Sequence, residues 1–162
     1  MKKIIFLSLL LAACVRVPEN LEGQQAFFAF DSAVVSDEAR DNLKGQALYM
    51  KKNPDVNITL QGRCDERGST DYNLALGALR AGNAAHVMIR NGIEPERIKT
   101  ISYGKENPIY KGTGEEVWAL NRNTTTVVRK KVADDEVKAP ILEDVLEELK
   151  NVPAVEREQI TE

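Results

Sequence analysis

The sequence predicts an α+β domain: a layer of helices on one mixed four-stranded sheet, in the order β-α-β-α-β-(α)-β. Three observations predict it. Val56, Ile58 and Leu60 alternate with Asn57, Thr59 and Gln61, the two-residue period of a half-buried strand. Segments of helical period flank that strand, one stopped by Pro54 and the other by Asn91-Gly92. A β-rich run, Thr124 to Val132, follows the last helical segment.

Taken in order, Gln25 to Asp31 reads as a first strand, with Phe27, Phe28 and Phe30 supplying bulk. Ser36 caps a helix with Asp37 and Glu38 in its first turn, where acids complement the helix dipole. That helix runs to about Lys52 and carries Ala39, Leu43, Ala47 and Met50 at helical spacing. After the 56–61 strand comes a loop, then a helix starting near residues 69–71. Ala81, Gly82, Ala84 and Ala85 make part of this second helix slim enough to lie close to the sheet. Glu94 to Arg97 forms one turn, Ile98 to Tyr103 a strand, Gly104 to Gly114 a loop, and Glu115 to Arg122 a short helix with Trp118.

The ends read differently. Met1-Lys2-Lys3 is basic, and Ile4 to Ala13 is apolar apart from Ser8, too short to span a bilayer. Residues 1–13 therefore read as a signal peptide. Leu11-Ala12-Ala13-Cys14 resembles a lipobox, in which the Cys14 thiol takes diacylglycerol and its new amine is acylated. Several acyl chains hold a protein on a membrane where one gives only reversible binding. Val15, rather than Asp, after the Cys favours the outer membrane. Residues 14–24, with Pro18 and Gly23, read as the lipidated Cys and a short tether; ten extended residues reach about 33–36 Å. The domain occupies 25–132. Residues 133–162 form an acidic tail with 10 acidic and 3 basic residues. In it Ile141, Leu142, Val145, Leu146 and Leu149 fit an amphipathic helix.

The chain carries 22 basic and 25 acidic residues. The domain is near neutral, which is not a nucleic-acid footprint. With Cys14 lipidated, Cys64 has no disulfide partner within the chain and reads either as a shielded thiol, the favoured reading, or as available for an intermolecular bridge. One His and one unlipidated Cys make a poor metal-ligand set, and no cofactor motif is present.

The chemistry concentrates between residues 62 and 81. Asp65 falls on the loop after a strand, and Arg80 on the helix that follows. A carboxylate facing a guanidinium holds a zwitterion: Asp accepts from an ammonium, and the planar Arg fork meets a carboxylate. Each residue also has a plainer reading, Asp65 as a turn cap and Arg80 as a solvated helix cation. The segments Phe28-Ala29-Phe30-Asp31-Ser32, Cys64-Asp65-Glu66-Arg67-Gly68, Tyr72-Asn73, Leu76-Gly77, Arg80-Ala81, Ser102 to Pro108 and Trp118 to Arg122 stand in one order. Together they resemble the OmpA-like peptidoglycan-binding domains over about residues 25–130.

That resemblance implies Asp65 and Arg80 as the grip on the free amino-acid end of diaminopimelate in the wall stem peptide. Asn73 and Arg122 are further candidate contacts. Asn73 is equally readable as a loop brace, and Tyr72 as packing. The resemblance implies a non-catalytic, lipid-anchored outer-membrane protein whose domain faces the periplasm and ties membrane to wall. It also implies TolB and other Tol components as partners, in envelope integrity and cell division. Two departures stand out: Arg63 where the family usually has His, and Asn123 where a second Arg usually follows Arg122. The competing readings are an interaction protein without wall binding and a thiol hydrolase built on Cys64 and His86, the only His.

Overall fold

The computed structural model describes residues 16–129. The signal peptide, Cys14 and the acidic tail expected from the sequence lie outside the described residues. Within them the order is β1 (Gln25–Phe27), α1 (Asp37–Lys52), β2 (Asn57–Arg63), α2 (Thr70–Arg90), a 3-10 turn (Pro95–Arg97), β3 (Ile98–Gly104), α3 (Glu115–Asn121) and β4 (Asn123–Arg129). The sheet runs β1-β4-β2-β3. β2 and β3 are parallel, while β4 is antiparallel to both β1 and β2. This is the mixed four-stranded α+β sheet expected from the sequence.

Local chemistry sets the element ends. The Ser36 hydroxyl accepts from Ala39 N–H at 3.2 Å and opens α1. Ser69 does the same for α2 through Tyr72 N–H at 3.3 Å. Gly92, at φ +82, ends α2 in the left-handed region. Ile58 and Leu60 of β2 are fully buried with Leu43, Met50, Ala81, Ala84 and Met88 from the two long helices. Their removal from water drives the layer packing. One polar pair sits inside: the Thr126 hydroxyl donates to Gln46 Oε1 at 2.6 Å.

Three expectations need correction. The first strand is shorter than 25–31. After Phe27 the chain leaves the sheet, and Asp31 turns it at φ +50. Second, the described part of the expected tether is docked rather than free. Leu21 is buried in the core, Gly23 N–H donates to Thr126 O at 2.9 Å, and Thr126 N–H donates to Gln24 O at 2.8 Å. Third, Gly82 faces open space. Ala81, Ala84 and Ala85 are buried as expected, and backbone meets backbone at Gly77, whose carbonyl oxygen lies 1.9 Å from where a Cβ on Gly62 would sit.

Gly62 and Gly77 therefore bring the end of β2 against the first half of α2, and this places the 64–69 loop beside Arg80. A register shift between Gly62 and Arg63 turns the strand end at the same point. Gly62→Ala puts a methyl into backbone that has no rotamer with which to yield. It should destabilise the domain by about 2 kcal/mol or more in urea unfolding. A change within ~0.5 kcal/mol would show that the two backbones are not tightly held.

Candidate functional site

Asp65 and Arg80 line one surface hollow of about 380 Å³, together with Phe30, Asp31, Arg67, Tyr72 and Asn73. The hollow opens where β2 gives way to α2. The 28–36 segment closes one side of it, and the 64–69 loop the other.

Arg80 is not a solvated helix cation. It is 1% exposed and donates to three backbone carbonyls: Nε to Ser32 O at 2.8 Å, Nη1 to Arg63 O at 2.8 Å and Nη2 to Ala29 O at 3.1 Å. Its guanidinium also lies 5.3 Å from the Phe28 ring. Burial pulls its pKa below the ordinary guanidinium range. Three of its five N–H groups are used in these bonds, and the guanidinium also lies against the Cys64 thiol.

Asp65 is buried as well, at 5% exposure. Its Oδ1 accepts from the backbone N–H and Nε of Arg67, both at 3.2 Å. Its Oδ2 accepts from Arg67 Nη2 at 2.6 Å and Arg122 Nη1 at 3.2 Å. Burial raises the pKa of this carboxyl, but the hydrogen bonds from Arg67 and Arg122 outweigh it. The net result lies below the usual carboxylate range.

The other candidates separate by role. The Asn73 amide donates to Arg67 O at 2.7 Å and Ser69 O at 3.0 Å, so it braces the loop while lining the hollow. Arg122 stands behind Asp65 rather than in the hollow's lining. It bonds Asp65, Phe28 O at 3.2 Å and Glu115 Oε1 at 2.6 Å, and it positions the carboxylate. Tyr72 lines the hollow, and its hydroxyl donates to Asp31.

The two departures are also placed. The Arg63 side chain is buried away from the hollow, donating to Asn107 O at 3.0 Å and Gln61 Oε1 at 2.6 Å. It therefore adds no charge to the hollow's wall. Asn123 is fully buried, with its amide on Leu120 O at 2.6 Å.

Among the charged and aromatic lining residues, Phe30, Asp31 and Arg67 carry no candidate role in the sequence. Arg67 sits two residues after Asp65, the spacing that lets a loop side chain fold back on an Asx turn. Phe30 and Asp31 belong to a segment read as plain strand. Nothing in the sequence marks the turn that delivers them.

The Cys64–His86 pairing is not made. The Cys64 thiol donates to Asn73 O at 3.4 Å, and burial pushes its pKa up. His86 lines a different hollow with Asn83, Val87 and Arg90. Among the described residues no group of three or more His, Cys, Asp or Glu side chains is placed to hold a metal ion. Among the same residues no helix is long and apolar enough to cross a membrane.

The depressed Asp65 pKa has a consequence for stability. In the unfolded chain this carboxyl titrates near the ordinary Asp value of about 3.9. The ion pairs therefore stabilise the fold fully above that pH, and the contribution is lost as pH falls through the lower folded value. Urea unfolding between pH 7 and pH 2 should show wild type losing more stability below about pH 4 than Asp65→Asn. Parallel profiles would mean that Asp65 is not held ionised by its partners.

Comparison with known proteins places this architecture. The OmpA family model matches residues 27–122. Peptidoglycan-associated lipoproteins of Brucella melitensis and Rhizobium meliloti are 37% and 40% identical to the chain over 106 residues. The alignments cover 65% of this chain and 63% and 60% of those relatives, so the chain spans less than two thirds of their length. The crystal structure of the peptidoglycan-associated lipoprotein from Burkholderia pseudomallei superposes with a TM-score of 0.63 at 37% identity, covering 65% of this chain and 90% of that one. The C-terminal domain of Helicobacter pylori MotB has a TM-score of 0.62 at 22% identity, covering 78% and 95%, and shares the fold. Because the family model spans more than half of its length, the chain belongs to the OmpA family.

Proposed function

We propose that the chain is a non-catalytic, lipid-anchored protein of the cell envelope that binds peptidoglycan through the Asp65/Arg80 hollow. The observation that carries this reading is the hollow itself: a carboxylate held ionised by its partners and a guanidinium line one small cavity. That pair suits an ammonium and a carboxylate borne on one carbon, as at the free end of diaminopimelate. The names of the relatives in Brucella and Rhizobium support the same ligand class. Acylated Cys14 supplies the second attachment, and Val15 directs it to the outer membrane with the domain in the periplasm. Because Arg16 to Gln24 pack on the domain, little chain is left between anchor and fold, and the wall grip lies close to the membrane. Individual grips need not be strong, since many anchored copies face a polymeric ligand at high effective concentration. In this reading TolB and other Tol components are partners, in envelope integrity and cell division.

The burial of Asp65 and Arg80 changes how the site must be tested. Solvent-facing residues could be truncated without harm to the fold, but these two are buried. Arg80→Ala instead strands three carbonyls, so a loss of binding would be confounded with unfolding. Asp65→Asn keeps the shape and removes the charge. It should bind purified peptidoglycan about 10-fold or more weaker than wild type while its melting curve stays cooperative. A folded Asp65→Asn protein that sediments with the wall as well as wild type would remove this hollow from the account and leave an interaction protein without wall binding.

The anchor is tested separately. Cells given a fatty-acid analogue should label the wild-type protein and not Cys14→Ala, and the variant should leave the membrane fraction. Unlabelled wild-type protein would refute the lipoprotein reading without touching the wall-binding site.

A further inference from the structure

Asp65 has no vacant acceptor position. An ionised carboxylate offers about four lone-pair sites. Arg67 takes three of them, with its backbone N–H, Nε and Nη2, and Arg122 takes the fourth. Arg122 is buried behind the carboxylate, whereas Arg67 lines the hollow with it. A ligand ammonium that reaches Asp65 must therefore displace the Arg67 fork.

The fork has somewhere to go. Its guanidinium is held between two aromatic faces, 4.0 Å from the Phe30 ring and 4.3 Å from the Trp118 ring. The Trp118 ring is itself fixed by Nε1–H donating to Glu66 Oε1 at 2.9 Å. A second carboxylate is within reach, with Glu115 Oε2 3.6 Å from Arg67 Nη2. Cation–π contact constrains position more than rotation. Arg67 Nη2 already lies within ion-pair distance of both carboxylates, 2.6 Å from Asp65 Oδ2 and 3.6 Å from Glu115 Oε2, so a shift of the side chain toward Glu115 keeps the cation paired.

Resting on the wall-binding reading above, we propose that Arg67 is a built-in competitor for the ligand's ammonium. It occupies Asp65 in the empty site and rotates toward Glu115 when a zwitterion binds. The closed arrangement lowers the apparent affinity by the fraction of molecules in which Asp65 is open. It also sharpens specificity. A ligand without an ammonium cannot replace what Arg67 gives Asp65, and it would leave a buried carboxylate short of partners.

The test is calorimetric titration of wild type, Arg67→Gln and Arg67→Met. The probes are free meso-diaminopimelate and pimelate, which has the two carboxylates but neither amine. The Arg67 side chain is a third exposed, and Met keeps an unbranched stem between the two rings. Both variants should bind meso-diaminopimelate about 5- to 50-fold tighter than wild type. Neither should gain affinity for pimelate. If wild type binds but the variants bind equally or more weakly, Arg67 is a bystander or a direct ligand contact, and the proposal is wrong while the wall-binding reading stands. Equal gains for both probes would show general unblocking of the hollow and would also overturn it. If no protein binds meso-diaminopimelate, the wall-binding reading falls and the competitor falls with it.

Discussion

The buried guanidinium of Arg80 is the constraint on which the site depends. One planar cation ties α2 to Ala29 and Ser32 on one side and to Arg63, at the end of β2, on the other. The Ala29 and Ser32 carbonyls lie outside the sheet, and Arg63 is the last residue of β2. Unpaired and buried, each would cost free energy comparable to a lost hydrogen bond. Arg80 satisfies all three, and in doing so it draws the Phe30–Asp31 turn and the Asp65 loop to the two sides of a single hollow. Arg97 closes the far end of the domain in the same way. It donates to the carbonyls of Met50, Asn53 and Val56, where α1 hands over to β2.

Charge within the hollow follows from that frame. Asp65 is held ionised by two arginines, and Arg122 is in turn held by Glu115. The carboxylate is thus kept ionised by groups the fold already holds in place, and of its two arginines only Arg67 lines the hollow. A ligand does not have to create a charged site here. It has to take over one whose partners are already in place. Binding should depend less on ordering the protein than on how well the ligand's charges replace those of Arg67.

The fold was legible because its elements follow periodicities that tertiary context does not override. The alternation at 56–61, the Ser36 cap and the Asn91-Gly92 stop all act locally. The failures were non-local. Phe28 to Asp31 has the composition of a strand, but the carbonyls of Ala29 and of the neighbouring Ser32 are claimed by Arg80 some fifty residues later. Leu21 reads as tether because Pro18 and Gly23 flank it, yet it is buried in a core that only the assembled domain creates. In the site, the spacing and residue types gave Asp65 and Arg80. They did not give burial, which turns Arg80 from a surface cation into a structural tie. Arg67 was visible as part of a charged loop, but nothing in one dimension shows that it folds back onto Asp65.

The central claim is that this hollow recognises an ammonium and a carboxylate on one carbon. The most direct measurement compares two stem tripeptides by titration calorimetry, one ending in meso-diaminopimelate and the other in lysine. The lysine peptide retains a side-chain ammonium but lacks the carboxylate that Arg80 would bind. Loss of a charge-assisted pair predicts at least about 10-fold weaker binding for the lysine peptide. Equal affinity for the two peptides would contradict recognition through the Asp65/Arg80 pair.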